Sequence, residues 1–316
     1  MDVECYRVRV LEEKEKMQIS VIGAGAVGCH VGGLLALAGH DVVLLGRSAH
    51  VDAINSRGLL LEGQGFRKTV QLRAVTEASR LPQSDLVLVC VKCTDTAEAG
   101  RMIRPALKAD TVIVSLQNGM GNSALLEDIT GRPVIPAIVY IAVEMTGPGH
   151  VLHRGGKRLL IGASDSSPEL ARRLSEVGLP TTVTEDIQVA LWSKLVINCA
   201  CNALSAVGPM SYGPLLEIVD VREVMADIVR ECLCVAAACG ISLPADMLEK
   251  VLEIGRIMPK QKSSMAQDMI RRRPTEIDFL NGYVVRMGKA LDVPTPVNQT
   301  LVSVLKILET RHQDAG

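Results

Sequence analysis

A chain of 316 residues exceeds what one hydrophobic core usually serves, so two domains are expected. Aromatics make up only 2% of residues within a 48% hydrophobic total, so Leu, Val, Ile, Ala and Met must build the core. With 34 Lys and Arg against 35 Asp and Glu, the formal net charge of −1 gives no electrostatic reason to bind nucleic acid or an anionic membrane.

The first sixteen residues include Glu12, Glu13, Lys14, Glu15 and Lys16, unlike the apolar core of a signal peptide. Met17 stands directly before the first strand, so 1–16 reads as an extension of unknown role. A β-branched run at 18–23 leads into Gly23-Ala24-Gly25-Ala26-Val27-Gly28, then a helix-like stretch to Ala38, a stop at Gly39 and a strand at 42–45. An inserted hairpin is expected at 59–61 and 69–72. Strands follow at 86–91 and 111–116 with a crossover helix at 95–107 between them, then further strands at 134–143, 151–153 and 159–162. Beyond about residue 186 the pattern turns helical. Helices are predicted at 187–206, 214–239, 244–257, 274–291 and 297–311. The expected layout is an α/β Rossmann domain at 17–186 followed by an all-helical domain at 187–316. No apolar run in the sequence approaches the ~20 residues of a membrane span.

The nine cysteines sit in apolar segments, and the Cys90–Cys93 pair has no second pair or His set to complete a metal site. Reduced thiols in a cytosolic protein are therefore expected, with no metal.

The glycine loop follows a strand, opens a helix and lies within a βαβ unit, the context in which GxGxxG signals a dinucleotide site. Gly23 allows the tight turn, Gly25 lets a pyrophosphate approach the backbone, and Gly28 lets helix and strand pack closely. The helix N-terminus then faces the phosphates. An NAD site usually places Asp or Glu at the end of the second strand. That region here reads Leu44-Leu45-Gly46-Arg47-Ser48, and Asp41 is at the wrong end. Arg47 suits a 2′-phosphate, which favours NADPH, although a solvated surface arginine is the plain alternative. Lys92 and Asn118 also fall at predicted strand carboxyl ends, where open α/β sheets hold their ligands.

The helix predicted at 187–206 is apolar apart from a few polar residues. At about 100° per residue, Asn198 lies about 40° and Asn202 about 80° from Lys194 on its surface. Burying an ammonium and two amides without partners costs several kcal/mol. Either neighbouring helices satisfy them, or they line a cavity for a polar ligand. A lysine of ordinary pKa could protonate a carbonyl oxygen as hydride reaches the carbon. Ser264 and Glu276 add a hydroxyl and a carboxylate downstream. Thr275 as an N-cap would give Glu276 the lesser task of stabilising a helix start.

These segments together resemble the ketopantoate reductase (2-dehydropantoate 2-reductase) family. The matching pieces are GAGAVG, Arg47, VKCTD around Lys92, QNGMG around Asn118, LWSKLVINCACNAL around Lys194 and SSMAQD…PTEIDFLNG around Glu276. The resemblance implies a Rossmann domain with a helical domain of the 6-phosphogluconate dehydrogenase type. It implies NADPH as cofactor, held by the loop Gly23 to Gly28 with Arg47, Lys92 and Asn118. It implies Lys194 as general acid, Glu276 as acceptor for the substrate C4 hydroxyl, and Asn198, Asn202 and Ser264 as positioning groups, with Asn118 bridging cofactor and substrate ends. The implied reaction reduces 2-dehydropantoate to (R)-pantoate, towards pantothenate and coenzyme A, in a cytoplasmic enzyme with no nucleic-acid or membrane partner and a homodimer as candidate assembly. Two alternatives stay open: a reductase of the same fold acting on another 2-oxo acid, and a non-catalytic NADPH-binding sensor.

Overall fold

The computed structural model describes residues 16–314, so all but Lys16 of the 1–16 extension lies outside the described residues. The chain separates into two compact units at the Ile187–Gln188 bond.

In the first unit, β1 (Gln18–Ile22), α1 (Ala26–Leu37) and β2 (Asp41–Leu45) form a parallel βαβ unit. Next come α2 (Ser48–Arg57), β3 (Leu59–Gly63), β4 (Phe66–Val70), β5 (Arg73–Val75) and β6 (Ser84–Val89). The unit continues with α3 (Thr96–Ile103), β7 (Leu107–Ser115), α4 (Asn122–Thr130), β8 (Val134–Gly147), β9 (His150–Gly162), α5 (Ser167–Glu176) and β10 (Thr181–Thr184). Among the described residues these strands make a 10-stranded sheet ordered β4-β3-β9-β8-β7-β6-β1-β2-β5, with β10 beside β9. From β1 the chain builds outward to β2 and β5 on one side, then returns to β6, β7 and β8 on the other. The strand order therefore reverses between β1 and β6, the place where open α/β sheets form a ligand crevice.

Strand β1 shows why the sheet is covered on both faces. Successive side chains alternate across a strand. Ile19 and Val21 join the core that contains Val31, Leu34 and Leu35 of α1, while Ile22 joins the core with Ala99 and Ile103 of α3 and Leu126 of α4. The one polar interior residue of β1, Ser20, is satisfied by the Ser84 hydroxyl at 2.7 Å.

The expected hairpin is present as β3 and β4, paired antiparallel from Leu59↔Val70 to Gly63↔Phe66. The expected break between strands at 151–153 and 159–162 is absent. Strand β9 runs unbroken from His150 to Gly162 through Gly155 and Gly156, because bulges in its pairing with β8 absorb them. Gly156 takes φ +67, and a Cβ there would come 2.2 Å from the Tyr140 carbonyl oxygen.

Among its described residues the second unit is helical apart from loops and an isolated bridge between Ser211 and Lys262. Its helices are α6 (Ile187–Val207), α7 (Tyr212–Glu217), α8 (Val219–Ala238), α9 (Met247–Ile257), α10 (Ser264–Ile270), α11 (Asn281–Ala290) and α12 (Pro296–Asp314). The single helix expected at 214–239 is two, because Ile218 adopts an extended backbone (φ −77, ψ 115) between α7 and α8. The helix expected at 274–291 starts later. Residues Ile277–Phe279 form only a 3-10 turn, and Leu280 at φ −108, ψ −98 separates it from α11. Helix α6 is long and apolar enough to cross a membrane by length and composition, contrary to the sequence expectation. Its apolar residues Trp192, Leu195, Val196, Cys199, Ala200 and Ala203 are nevertheless buried in the protein.

A chain of buried amides joins four of these helices. Glu231 of α8 accepts from the backbone N–H groups of Val297 and Asn298 and from the Asn298 amide at 2.7–3.0 Å. The Asn281 amide donates to Asn298 Oδ1 at 3.0 Å and to the Cys199 carbonyl of α6 at 3.1 Å. Polar groups at such depth cost free energy unless they are paired.

Candidate active site

The sheet register aligns the carboxyl ends of four strands. Ile22 of β1 pairs with Leu45 of β2 and with Val89 of β6, and Val89 pairs with Ser115 of β7. Gly23, Arg47, Lys92 and Asn118 each follow one of these residues within three positions. The structure thus brings all four to one rim, with Lys92 and Asn118 half-buried and Arg47 exposed.

The loop at the end of β1 has the shape of a phosphate cradle. Gly23 sits at φ +111, and a Cβ there would come 2.8 Å from the Cys90 carbonyl carbon. A Cβ on Gly28 would come 2.1 Å from Gly23 O, so helix and loop meet at glycine-only distance. Gly25 differs: nothing lies within 4 Å of where its Cβ would stand, which leaves room for a ligand against the backbone. The N–H groups of Gly23 and Ala24 both donate to Leu45 O, at 2.9 and 3.0 Å, which pins the loop to β2. Helix α1 has no side-chain cap and no acidic residue in its first turn. The N–H groups of Ala26, Val27 and Gly28 precede the first intrahelical bond, from Cys29 N to Gly25 O at 2.9 Å. Open backbone space, uncapped donors and the positive end of the helix dipole fit a dinucleotide pyrophosphate.

A buried polar network holds the neighbouring loops. The Asn118 carbonyl accepts from Cys93 Sγ at 2.9 Å and from Asn122 Nδ2 at 2.7 Å. Thr96 Oγ1 donates to Asn122 Oδ1 at 2.9 Å and accepts from Gln117 Nε2 at 2.6 Å. Gln117 also reaches the Val91 carbonyl at 3.2 Å. Both chain neighbours of Lys92 are therefore tied to the segment that carries Asn118. Cys93, one half of the CxxC pair, serves here as a hydrogen-bond donor.

In the helical unit, Lys194 and Asn198 are half-buried on α6 and Asn202 is buried. Burial lowers the Lys194 pKa from its ordinary value to about 8, and the negative charge of Glu276 opposes that shift. The ordinary pKa expected from sequence is thus corrected, because the ammonium loses hydration that one carboxylate only partly replaces. Glu276 is half-buried and lies just before the 3-10 turn. The Thr275 Oγ1 accepts from Ile277 N at 3.3 Å, and Glu276 itself holds the N-cap position of the turn without a side-chain cap bond. Glu276 consequently does not sit in the first turn of an α-helix, as the N-cap alternative required.

Asn202 has protein partners. Its Oδ1 accepts from the Tyr212 hydroxyl at 3.2 Å, and its carbonyl accepts from Ser263 Oγ at 3.3 Å. Ser263 is buried and caps α10 by accepting from Ala266 N at 2.9 Å, whereas Ser264 is exposed on the first turn. Neighbouring elements therefore satisfy part of the polar strip, and Lys194 and Asn198 form its less buried end. Sequence reasoning missed two residues beside the candidates. Tyr212 could have been noticed as a rare aromatic in a turn-rich stretch, and Asp95 as the carboxylate three residues beyond Lys92. Asp95 Oδ2 stands 4.0 Å from Arg47 Nη2.

A glycine cradle at the reversal point of a mostly parallel sheet, and a helical unit that sets a lysine within the field of a carboxylate, define a two-unit nucleotide-dependent oxidoreductase. The chain belongs to the ketopantoate reductase family. Residues 19–166 match Ketopantoate reductase PanE/ApbA, and residues 186–309 match Ketopantoate reductase PanE/ApbA C terminal. The chain is 32% identical over 299 residues to 2-dehydropantoate 2-reductase of Pyrococcus horikoshii, spanning 93% of this chain and 98% of the relative. It is 32% identical over 308 residues to the enzyme of that name from Vibrio cholerae, spanning 93% and 98%. Among solved structures, a PanE/ApbA family ketopantoate reductase from Ralstonia eutropha JMP134 superimposes with a TM-score of 0.90 at 43% identity, covering 93% of this chain and 99% of that one. D-mandelate dehydrogenase, solved with NADH and anilino(oxo)acetate, superimposes with a TM-score of 0.89 at 26% identity, covering 93% and 99%.

Proposed function

We propose that this chain is an NADPH-dependent 2-dehydropantoate 2-reductase that forms (R)-pantoate, on the route to pantothenate and coenzyme A. The observation that carries the proposal is the Lys194 ammonium, buried to a pKa of about 8 with the Glu276 charge acting on it, in a chain of this family. Residues 17–186 are assigned to NADPH and 187–316 to substrate binding and catalysis.

The backbone from Gly23 through Ala24, Gly25, Ala26 and Val27 to Gly28 holds the pyrophosphate, Arg47 the 2′-phosphate, and Lys92 and Asn118 the remainder of the nucleotide. When bound, NADPH supplies the hydride that goes to C2 of the 2-oxo acid. Lys194 gives its proton to the C2 oxygen as negative charge develops there, so the carbonyl becomes a C–H and an O–H bond. The neutral amine left behind regains a proton from water. Glu276 accepts a hydrogen bond from the C4 hydroxyl, while Asn198, Asn202 and Ser264 orient the substrate, to which Asn118 is also assigned.

The test is a panel of 2-oxo acids followed by NADPH absorbance, with the oxo acid of mandelate as one member. Turnover is expected with ketopantoate and faster with NADPH than with NADH. Turnover of another 2-oxo acid with none of ketopantoate would overturn the substrate assignment.

A further inference from the structure

Strand β2 ends without the carboxylate that an NAD site usually places there. The tertiary structure supplies one from another strand. Asp95 ends the 3-10 turn Cys93–Asp95 that follows β6, and it stands at the N-terminus of α3. Strands β2 and β6 flank β1 on opposite sides, and their carboxyl ends align in register. Across that gap Asp95 Oδ2 comes to 4.0 Å from Arg47 Nη2, while Asp95 Oδ1 accepts from Thr94 Oγ1 at 2.9 Å.

The Arg47 side chain is 88% exposed and that of Asp95 44%, so solvent screens this pair and a ligand can compete with it. Arg47 is the residue assigned above to the 2′-phosphate, and the present inference rests on that assignment. A phosphate dianion that reaches Arg47 must also approach the Asp95 carboxylate, which repels it and holds part of the arginine's charge. An unphosphorylated ribose meets no such repulsion, and its hydroxyls can donate to the carboxylate. We propose that Asp95 is a specificity-determining residue that restrains the NADPH preference created by Arg47 and keeps NADH binding within reach.

The test is calorimetric titration of the full chain with NADPH and with NADH, for the wild type, Asp95→Asn, Asp95→Ser and Arg47→Ala. Both replacements at position 95 keep a helix N-cap residue. Removing the carboxylate should tighten NADPH about 3- to 10-fold without tightening NADH, and the gain should shrink as salt screens the charges. A structural role at the start of α3 would instead move both affinities alike, and that result would overturn the proposal. Arg47→Ala separates the two layers of inference. If it weakens NADPH and spares NADH while the Asp95 variants do not discriminate, only the role of Asp95 fails. If Arg47→Ala does not discriminate either, the 2′-phosphate assignment fails and the role of Asp95 fails with it.

Discussion

The Tyr212 hydroxyl donates to Asn202 Oδ1 at 3.2 Å, which ties the short helix α7 to the polar face of α6. Both residues are nearly fully buried, so the bond fixes which way the Asn202 amide points. Tyr212→Phe leaves a buried acceptor without its donor, a cost of about 1–3 kcal/mol. The expected result is a lower melting temperature and a raised KM for ketopantoate with NADPH affinity unchanged. An unchanged KM would detach Asn202 from substrate positioning.

The pH dependence follows from Lys194. Only its ammonium form can donate the proton, so reduction should fall as pH rises through about 8. The same shift bears on stability. Burial lowers the folded-state value below the unfolded one, so the folded protein binds fewer protons between about 8 and the ordinary 10.5, and this group's contribution to stability rises with pH across that window. A pH–rate profile together with melts of wild type and Lys194→Met checks both signs.

Glu276→Gln removes the charge that supports the ammonium. The Lys194 pKa should then drop further, and the alkaline limb of the rate profile should move to lower pH. The KM for ketopantoate should rise, whereas a 2-oxo acid that lacks the C4 hydroxyl should show the pH shift alone. A profile that stays in place would mean that the carboxylate does not act on Lys194.

Lys194→Ala should reduce kcat by about 10²-fold or more, the usual scale for losing a general acid. NADPH affinity, measured by the fluorescence of the bound nucleotide, should change little. A large loss of affinity would assign Lys194 to the cofactor instead.

The glycine loop offers a contrast between two alanine substitutions. Gly25→Ala meets nothing within 4 Å and its backbone is at φ −84, so the protein should melt normally yet bind NADPH about 10-fold or more weakly. Gly28→Ala would push a methyl to 2.1 Å from Gly23 O, so stability itself should fall. Equal NADPH binding by Gly25→Ala and wild type would exclude the pyrophosphate from this loop.

What the sequence determined by itself was whatever depends on near neighbours along the chain. Gly23, Gly25 and Gly28 between a strand and a helix specify a turn, a close approach and an open donor set, because backbone sterics act within a few residues. The shared face of Lys194, Asn198 and Asn202 follows from helical periodicity in the same way. The overreach came where local signals were weak or were overridden: bulges carry β9 through Gly155 and Gly156, and an extended Ile218 splits a helix that composition alone would continue. The tertiary structure alone decided which distant groups share a field. It set Asp95 against Arg47, Glu276 near enough to act on Lys194, and the Lys194 pKa near 8. Electrostatic and desolvation energies depend on distance in space and on depth from water, and neither can be read from spacing along the chain.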